Sequence, residues 1–119
     1  MNIDDIRSYC IGKKGVTEEF PFDEDTLVFK VKGKMFALTP LDKWEAGEPS
    51  VNLKCNPDRN DELRDEYQGI YPGYHMNKTH WNTVEIGKDV PDHLIFDLID
   101  QSYRLVVQKL PKRLRQQIE

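Results

Sequence analysis

Cysteine is scarce in this chain. Cys10 and Cys55 are its only two, too few for a disulfide framework and without metal-ligand spacing, so both are expected as reduced thiols. Long hydrophobic runs are missing too: Leu94–Ile99 and Leu105–Val107 are interrupted by Asp97, Asp100 and Arg104, and no stretch reaches the length that crosses a bilayer. The opening Met-Asn-Ile-Asp-Asp-Ile has neither a basic leader nor an apolar run before small residues, so a cytoplasmic location and no membrane partner are expected. There is no glycine-rich phosphate loop and no G-x-S-x-G, which leaves nucleotide hydrolysis and serine-hydrolase chemistry without their usual equipment. Histidine occurs 3 times. The spacing of His75 and His80 sets them on opposite sides of a strand and off a common helical face, and His93 belongs to a separate helix start. Neither a metal nor another cofactor is expected. An excess of positive charge is also absent. A net charge of -4 and a pI ≈ 5.4 exclude a protein that coats nucleic acid through its overall field, so any DNA binding must come from a local patch.

What is present fits one α+β domain. At 119 residues the chain can bury a core without staples. Asn2 caps a helix carrying Ile3, Ile6 and Cys10 at helical spacing, with Asp4 and Asp5 in its first turn and Gly12 and Gly15 at its end. Thr26 to Val31 alternates Leu27, Phe29 and Val31 inward against Val28 and Lys30 outward, as a half-buried strand does. Lys32-Gly33-Lys34 reverses the chain, with Gly33 supplying a positive φ, and Met35 to Leu38 returns as the second arm of a hairpin. Thr39 to Ser50, with Pro40, Gly47 and Pro49, reads as a loop. Val51, Leu53 and Cys55 mark a third strand. Asn56 and Pro57 start an acidic helix with Leu63 and Tyr67 on its buried face and Gly69 beyond its end. Trp81 to Ile86 alternates as a strand, and Pro91 opens a long helix over Asp92 to Lys109 with Leu94, Leu98 and Leu105 on a broad apolar face. Pro111 begins a short basic terminal helix.

The densest unusual composition is Pro72-Gly73-Tyr74-His75-Met76-Asn77-Lys78-Thr79-His80-Trp81-Asn82-Thr83-Val84. This run resembles the signature stretch of the MmcQ/YjbR family, and Phe20-Pro21-Phe22, Thr26 to Leu38, Val51 to Cys55, Ser102-Tyr103 and Leu110-Pro111 extend the resemblance over nearly the whole chain. The resemblance implies an antiparallel sheet with helices packed against it in a two-layer, CyaY-like arrangement, and it carries a DNA-binding role proposed from a double-wing likeness.

Two groups of residues suit such a role. In the signature run, Lys78 offers a cation for phosphate, Asn77, Asn82, His75 and His80 offer polar contacts, and Tyr74 and Trp81 offer faces for stacking. Lys30, Lys32 and Lys34 surround a hairpin tip that could rest on a phosphate backbone, and Lys112, Arg113 and Arg115 could add to it. The competing reading makes Trp81 and Met76 core, the amides turn-formers, and the lysines solvated strand and helix residues. The expectation is a noncatalytic, monomeric binding domain for DNA. The alternative is a protein or small-ligand interaction module in which the same segment lines a pocket. An enzyme would require His75 or His80 in a pocket with an oriented partner.

Overall fold

The computed structural model describes residues 1–73 and 76–118. In chain order the elements are α1 (Ile3–Ile11), β1 (Val16–Glu19), β2 (Thr26–Val31), β3 (Lys34–Pro40), α2 (Leu41–Glu45), β4 (Ser50–Lys54), α3 (Pro57–Glu66), β5 (Ile70–Pro72), β6 (Trp81–Glu85), α4 (Asp92–Gln108) and α5 (Lys112–Gln116). The strands form one sheet in the order β1-β2-β3-β4-β6-β5. Every neighbouring pair is antiparallel. An α+β fold with helices against an antiparallel sheet is therefore what the chain adopts. Among the described residues no helix is long and apolar enough to cross a membrane.

Local chemistry accounts for most of the boundaries. The Asn2 side chain accepts from the Asp5 amide and the Asp5 carboxylate from the Asn2 amide, a reciprocal cap that starts α1. The Asn56 side chain accepts from the Asp58 amide and Pro57 occupies the first turn of α3. Between β2 and β3 both Lys32 (φ 49) and Gly33 (φ 82) are left-handed, the two-residue reversal whose twist matches that of the flanking strands.

The main core lies between the sheet and α1, α3 and α4. Leu27, Phe29 and Val31 from β2 meet Ile6 and Cys10 of α1 and Ile95, Ile99 and Val106 of α4. α4 is tied to the sheet by Ser102. Its hydroxyl donates to the Phe36 carbonyl (2.5 Å) and accepts from the Lys54 amide (2.9 Å), so it bridges β3 and β4 beyond their last paired residues.

Two expectations need correction. Thr39 to Ser50 is not one loop, because Thr39 and Pro40 extend β3, Leu41–Glu45 is helical and Ser50 begins β4. The Trp44 indole donates to the Thr39 hydroxyl (2.7 Å), which itself donates to the Ser50 carbonyl (2.6 Å), and this relay closes the segment. Val28 was expected to face outward into water, yet it is fully buried. It lies opposite Leu38 on the second face of the sheet, where Phe22, Asp23 and Met76 stand around Leu38.

Both cysteines are free and buried. Burial pushes the Cys10 thiol up to about 12, and burial is also the main cause that raises Cys55. With a group at about 12, only roughly 1 part in 10,000 is thiolate at pH 8. Native protein mixed with Ellman's reagent should release little colour over minutes, and unfolding in denaturant should release two equivalents at once. Rapid titration of either thiol in the native state would contradict this.

Candidate functional site

Of the residues in the signature run, Tyr74 and His75 lie outside the described residues. The rest form a tightly tied turn. The Gly73 amide donates to the Trp81 carbonyl (2.9 Å), and a Cβ at Gly73 would stand 3.1 Å from the Met76 Cβ and 3.2 Å from the Trp81 Cβ. Glycine suits that position because Met76 and Trp81 both approach its backbone closely. Asn77 acts through its backbone and its own turn: its side chain accepts from the Thr79 amide (2.9 Å), and its carbonyl accepts from the His80 (3.2 Å) and Trp81 (2.9 Å) amides. The His80 carbonyl accepts from the Cys55 amide (2.7 Å), which leaves its half-buried side chain beside the end of β4.

α3 locks this turn with two residues four apart in its sequence. Asn60 donates to the Thr79 carbonyl (2.6 Å) and accepts from the Asn82 amide nitrogen (2.9 Å). Arg64 donates to the Asn82 side-chain oxygen (2.8 Å) and to the Lys78 carbonyl (2.6 Å). Trp81 is 8% exposed and Asn82 3%. Their expected roles in stacking and base contact are thus corrected: Trp81 packs on the second sheet face, and every polar atom of the Asn82 side chain is used inside the fold. Asn60 and Arg64 escaped the sequence reading. Their spacing around Leu63 on a helix whose other residues are mostly charged was the available signal, since it puts them on the inner face.

The hairpin and terminal helix, read as separate features in the sequence, are neighbours. The Lys32 ammonium donates to the Gln117 side chain (3.0 Å), the Lys32 amide donates to the Gly15 carbonyl (3.2 Å), and Ile118 packs near Gly15. Tyr103 of α4 donates to the Lys14 carbonyl (2.6 Å). Three segments meet at this end: residues 13–15, 32–34 and 109–118. They hold Lys13, Lys14, Lys32, Lys34, Lys109, Lys112, Arg113 and Arg115, eight of the 17 basic residues, and no carboxylate side chain. Lys34, Lys112 and Arg113 are exposed, while Arg115 is half-buried with a bond to the Gln108 carbonyl (3.3 Å). Lys13 is engaged by Asp100, which also accepts from the Tyr9 hydroxyl (2.8 Å). Burial pushes the Asp100 carboxyl up, but the bonds from Lys13 and Tyr9 outweigh it and hold the group below the usual carboxylate range. Lys30 points to the second face and pairs with Glu19 (3.0 Å), apart from this cluster.

Lys78 stands elsewhere. Its carbonyl is held by Arg64 of α3, the helix whose exposed residues include Asp58, Asp61, Glu62, Asp65 and Glu66. That helix carries five carboxylates against the two guanidinium groups of Arg59 and Arg64, so Lys78 stands beside a net-acidic element.

The second sheet face carries a cavity of about 640 Å³. Leu38, Pro40, Phe22 and Met76 wall it, and Asn52, Ser50 and Thr83 line its floor. Thr83 donates to the Asn52 side-chain oxygen (2.6 Å). Asp23, at the rim, accepts from the Asp25 and Thr26 amides, bonds that hold its carboxyl below the usual range.

Comparison with known proteins gives a consistent relationship. A sequence model described as YjbR matches residues 11–105. The chain is 33% identical over 115 residues to the uncharacterized protein YjbR of Escherichia coli K12, covering 97% of this chain and 95% of that protein. It is 42% identical over 94 residues to the uncharacterized protein YbdF of Escherichia coli O157:H7, covering 79% and 75% respectively. The crystal structure of Deinococcus radiodurans protein DR2400, with a DUF419 domain, is similar at a TM-score of 0.90 and 41% identity, over 98% of this chain and 87% of that one. A crystal structure of a protein from Pseudomonas syringae is similar at a TM-score of 0.73 and 28% identity, over 88% and 98%.

Proposed function

Because this chain belongs to the YjbR family, its function has to be argued from its own surface, and we propose a noncatalytic domain that binds nucleic acid through its basic end. The observation that carries this reading is the contact of the β2–β3 tip with the C-terminal segment through Lys32 and Gln117. It gathers cations from distant parts of an acidic chain onto one surface, where Asp100 engages Lys13 alone among the described ion pairs. The acidic cluster Asp23, Glu24 and Asp25 precedes β2, and the tip follows it. Six residues of strand separate them by about 20 Å, more than twice the screening length of roughly 8 Å at physiological salt. The noncatalytic part rests on the two thiols, held protonated in the core, and on a cavity floor of neutral amide and hydroxyl groups.

The contacts in this reading are Lys34, Lys112 and Arg113, with Lys32 and Arg115 behind them; Lys78 and the buried Trp81 and Asn82 take no part. Fluorescence anisotropy with a labelled duplex tests it. Three to four phosphate contacts should weaken binding by about 40- to 150-fold between 50 and 200 mM salt. Reversing Lys34 and Arg113 together to Glu should weaken low-salt binding by about tenfold or more, whereas Lys78→Glu should change it little. No binding at low salt, or an equal loss in Lys78→Glu, overturns the reading.

A further inference from the structure

The cavity on the second sheet face has no part in nucleic-acid binding as proposed, and it is built unlike a packing defect. Its volume, about 640 Å³, falls among cavities that hold small molecules. Apolar walls surround a small polar floor, the combination that fixes a ligand's orientation while its body is desolvated.

The floor points to the ligand's chemistry. Asn52 is 8% exposed and Thr83 6%. The Thr83 hydroxyl donates to the Asn52 side-chain oxygen, which fixes that oxygen toward β6 and leaves the amide nitrogen as the outward donor. Among the described residues no acceptor meets that nitrogen. No buried side-chain polar atom among the described residues lacks a partner, so this nitrogen opens onto the cavity that Asn52 lines, where a carbonyl oxygen can accept from it.

The mouth points to the ligand's body. Phe22 is 65% exposed and Tyr71 37%, so two large aromatic side chains at the rim are left to water. Phe22 sits on an anchored segment, since Asp23 accepts the Asp25 and Thr26 amides. Among the described residues the charged side chains that line it, Asp23 and Lys43, are of opposite sign, and the floor is uncharged. A charged ligand would lose hydration there without gaining a counter-ion at the floor.

We propose that this cavity binds a small, uncharged ring compound bearing a carbonyl group. The ring lies against Phe22, Leu38 and Met76, and the carbonyl oxygen accepts from the Asn52 amide nitrogen. This stands independently of the nucleic-acid reading.

The test is titration of uniformly ¹⁵N-labelled full-length protein with benzamide, toluene and benzoate as probes, followed by NMR. Millimolar benzamide should shift the Asn52 side-chain amide pair and the Leu38 and Thr83 backbone amides along saturable curves. Toluene, lacking the carbonyl, and benzoate, carrying charge, should each bind about tenfold more weakly or worse. Phe22→Ala should weaken benzamide binding while leaving the melting temperature unchanged, because the side chain is mostly in water. Asn52→Leu, checked for folding by its own spectrum, should erase the preference for benzamide over toluene. The proposal is overturned if benzamide leaves these amides unmoved, if toluene binds equally well, or if the same amides shift with protein concentration alone. The last result would mean that a second copy occupies the cavity.

Discussion

Trp81→Ala should lower the unfolding free energy by about 3–5 kcal/mol, the range for removing a large aromatic from a well-packed site. Trp81 is 8% exposed. It begins β6 opposite Lys54, and its side chain stands close against Gly73. Truncation empties that site beside residues whose backbone Trp81 ties, through the Gly73 amide to the Trp81 carbonyl and the Trp81 amide to the Asn77 carbonyl. Urea denaturation with an unchanged m-value would measure the loss directly. The same variant, assayed where it remains folded, should retain DNA affinity. A midpoint close to wild type combined with lost binding would return Trp81 to the surface role that its sequence neighbourhood suggests.

Asn60→Ala should cost about 1–3 kcal/mol, because it strands the buried Asn82 amide, and an unsatisfied buried group costs roughly that much. Asn60 is 2% exposed. Its removal leaves the Thr79 carbonyl without its donor and the Asn82 amide without its acceptor. A double-mutant cycle separates this from simple loss of packing. Asn60→Leu and Asn82→Leu should each destabilise strongly, and the double variant should cost clearly less than their sum, since replacing both partners removes the orphaned groups along with the bond. Strict additivity in urea melts would mean that the network contributes no coupling and that the turn is held by backbone bonds alone.

These two variants bear on why the signature run is so recognisable. Its amides, glycine and tryptophan have the composition of a nucleic-acid surface, and the same residue types serve a buried turn equally well. Amides satisfy backbone groups in either setting, and an aromatic ring gains from stacking or from burial. Composition alone cannot separate the two. The partner that decides, Asn60 with Arg64, is 22 and 18 residues from Asn82 in sequence.

The local rules were legible. Reciprocal capping at Asn2 and Asp5, Asn56-Pro57 before α3, the Lys32-Gly33 reversal and the apolar period of α4 each depend on interactions within a few residues, so the sequence by itself determined those elements, their boundaries and the α+β class. β1, β5 and α2 were not legible. Val16–Glu19 and Ile70–Pro72 are short edge strands paired with β2 and β6, and α2 is closed by a Trp44–Thr39–Ser50 relay rather than by a side-chain cap. The burial of Val28 was hidden for a related reason, because alternation assigns a residue to a face without saying whether that face is covered. Tertiary structure alone decided that the hairpin lysines and the terminal helix share one end, that Lys78 belongs instead beside acidic α3, and that Asn52 and Thr83 floor a cavity. Each of these depends on a contact between segments distant in sequence, where side-chain geometry in three dimensions decides which groups meet, and local propensity is silent about it.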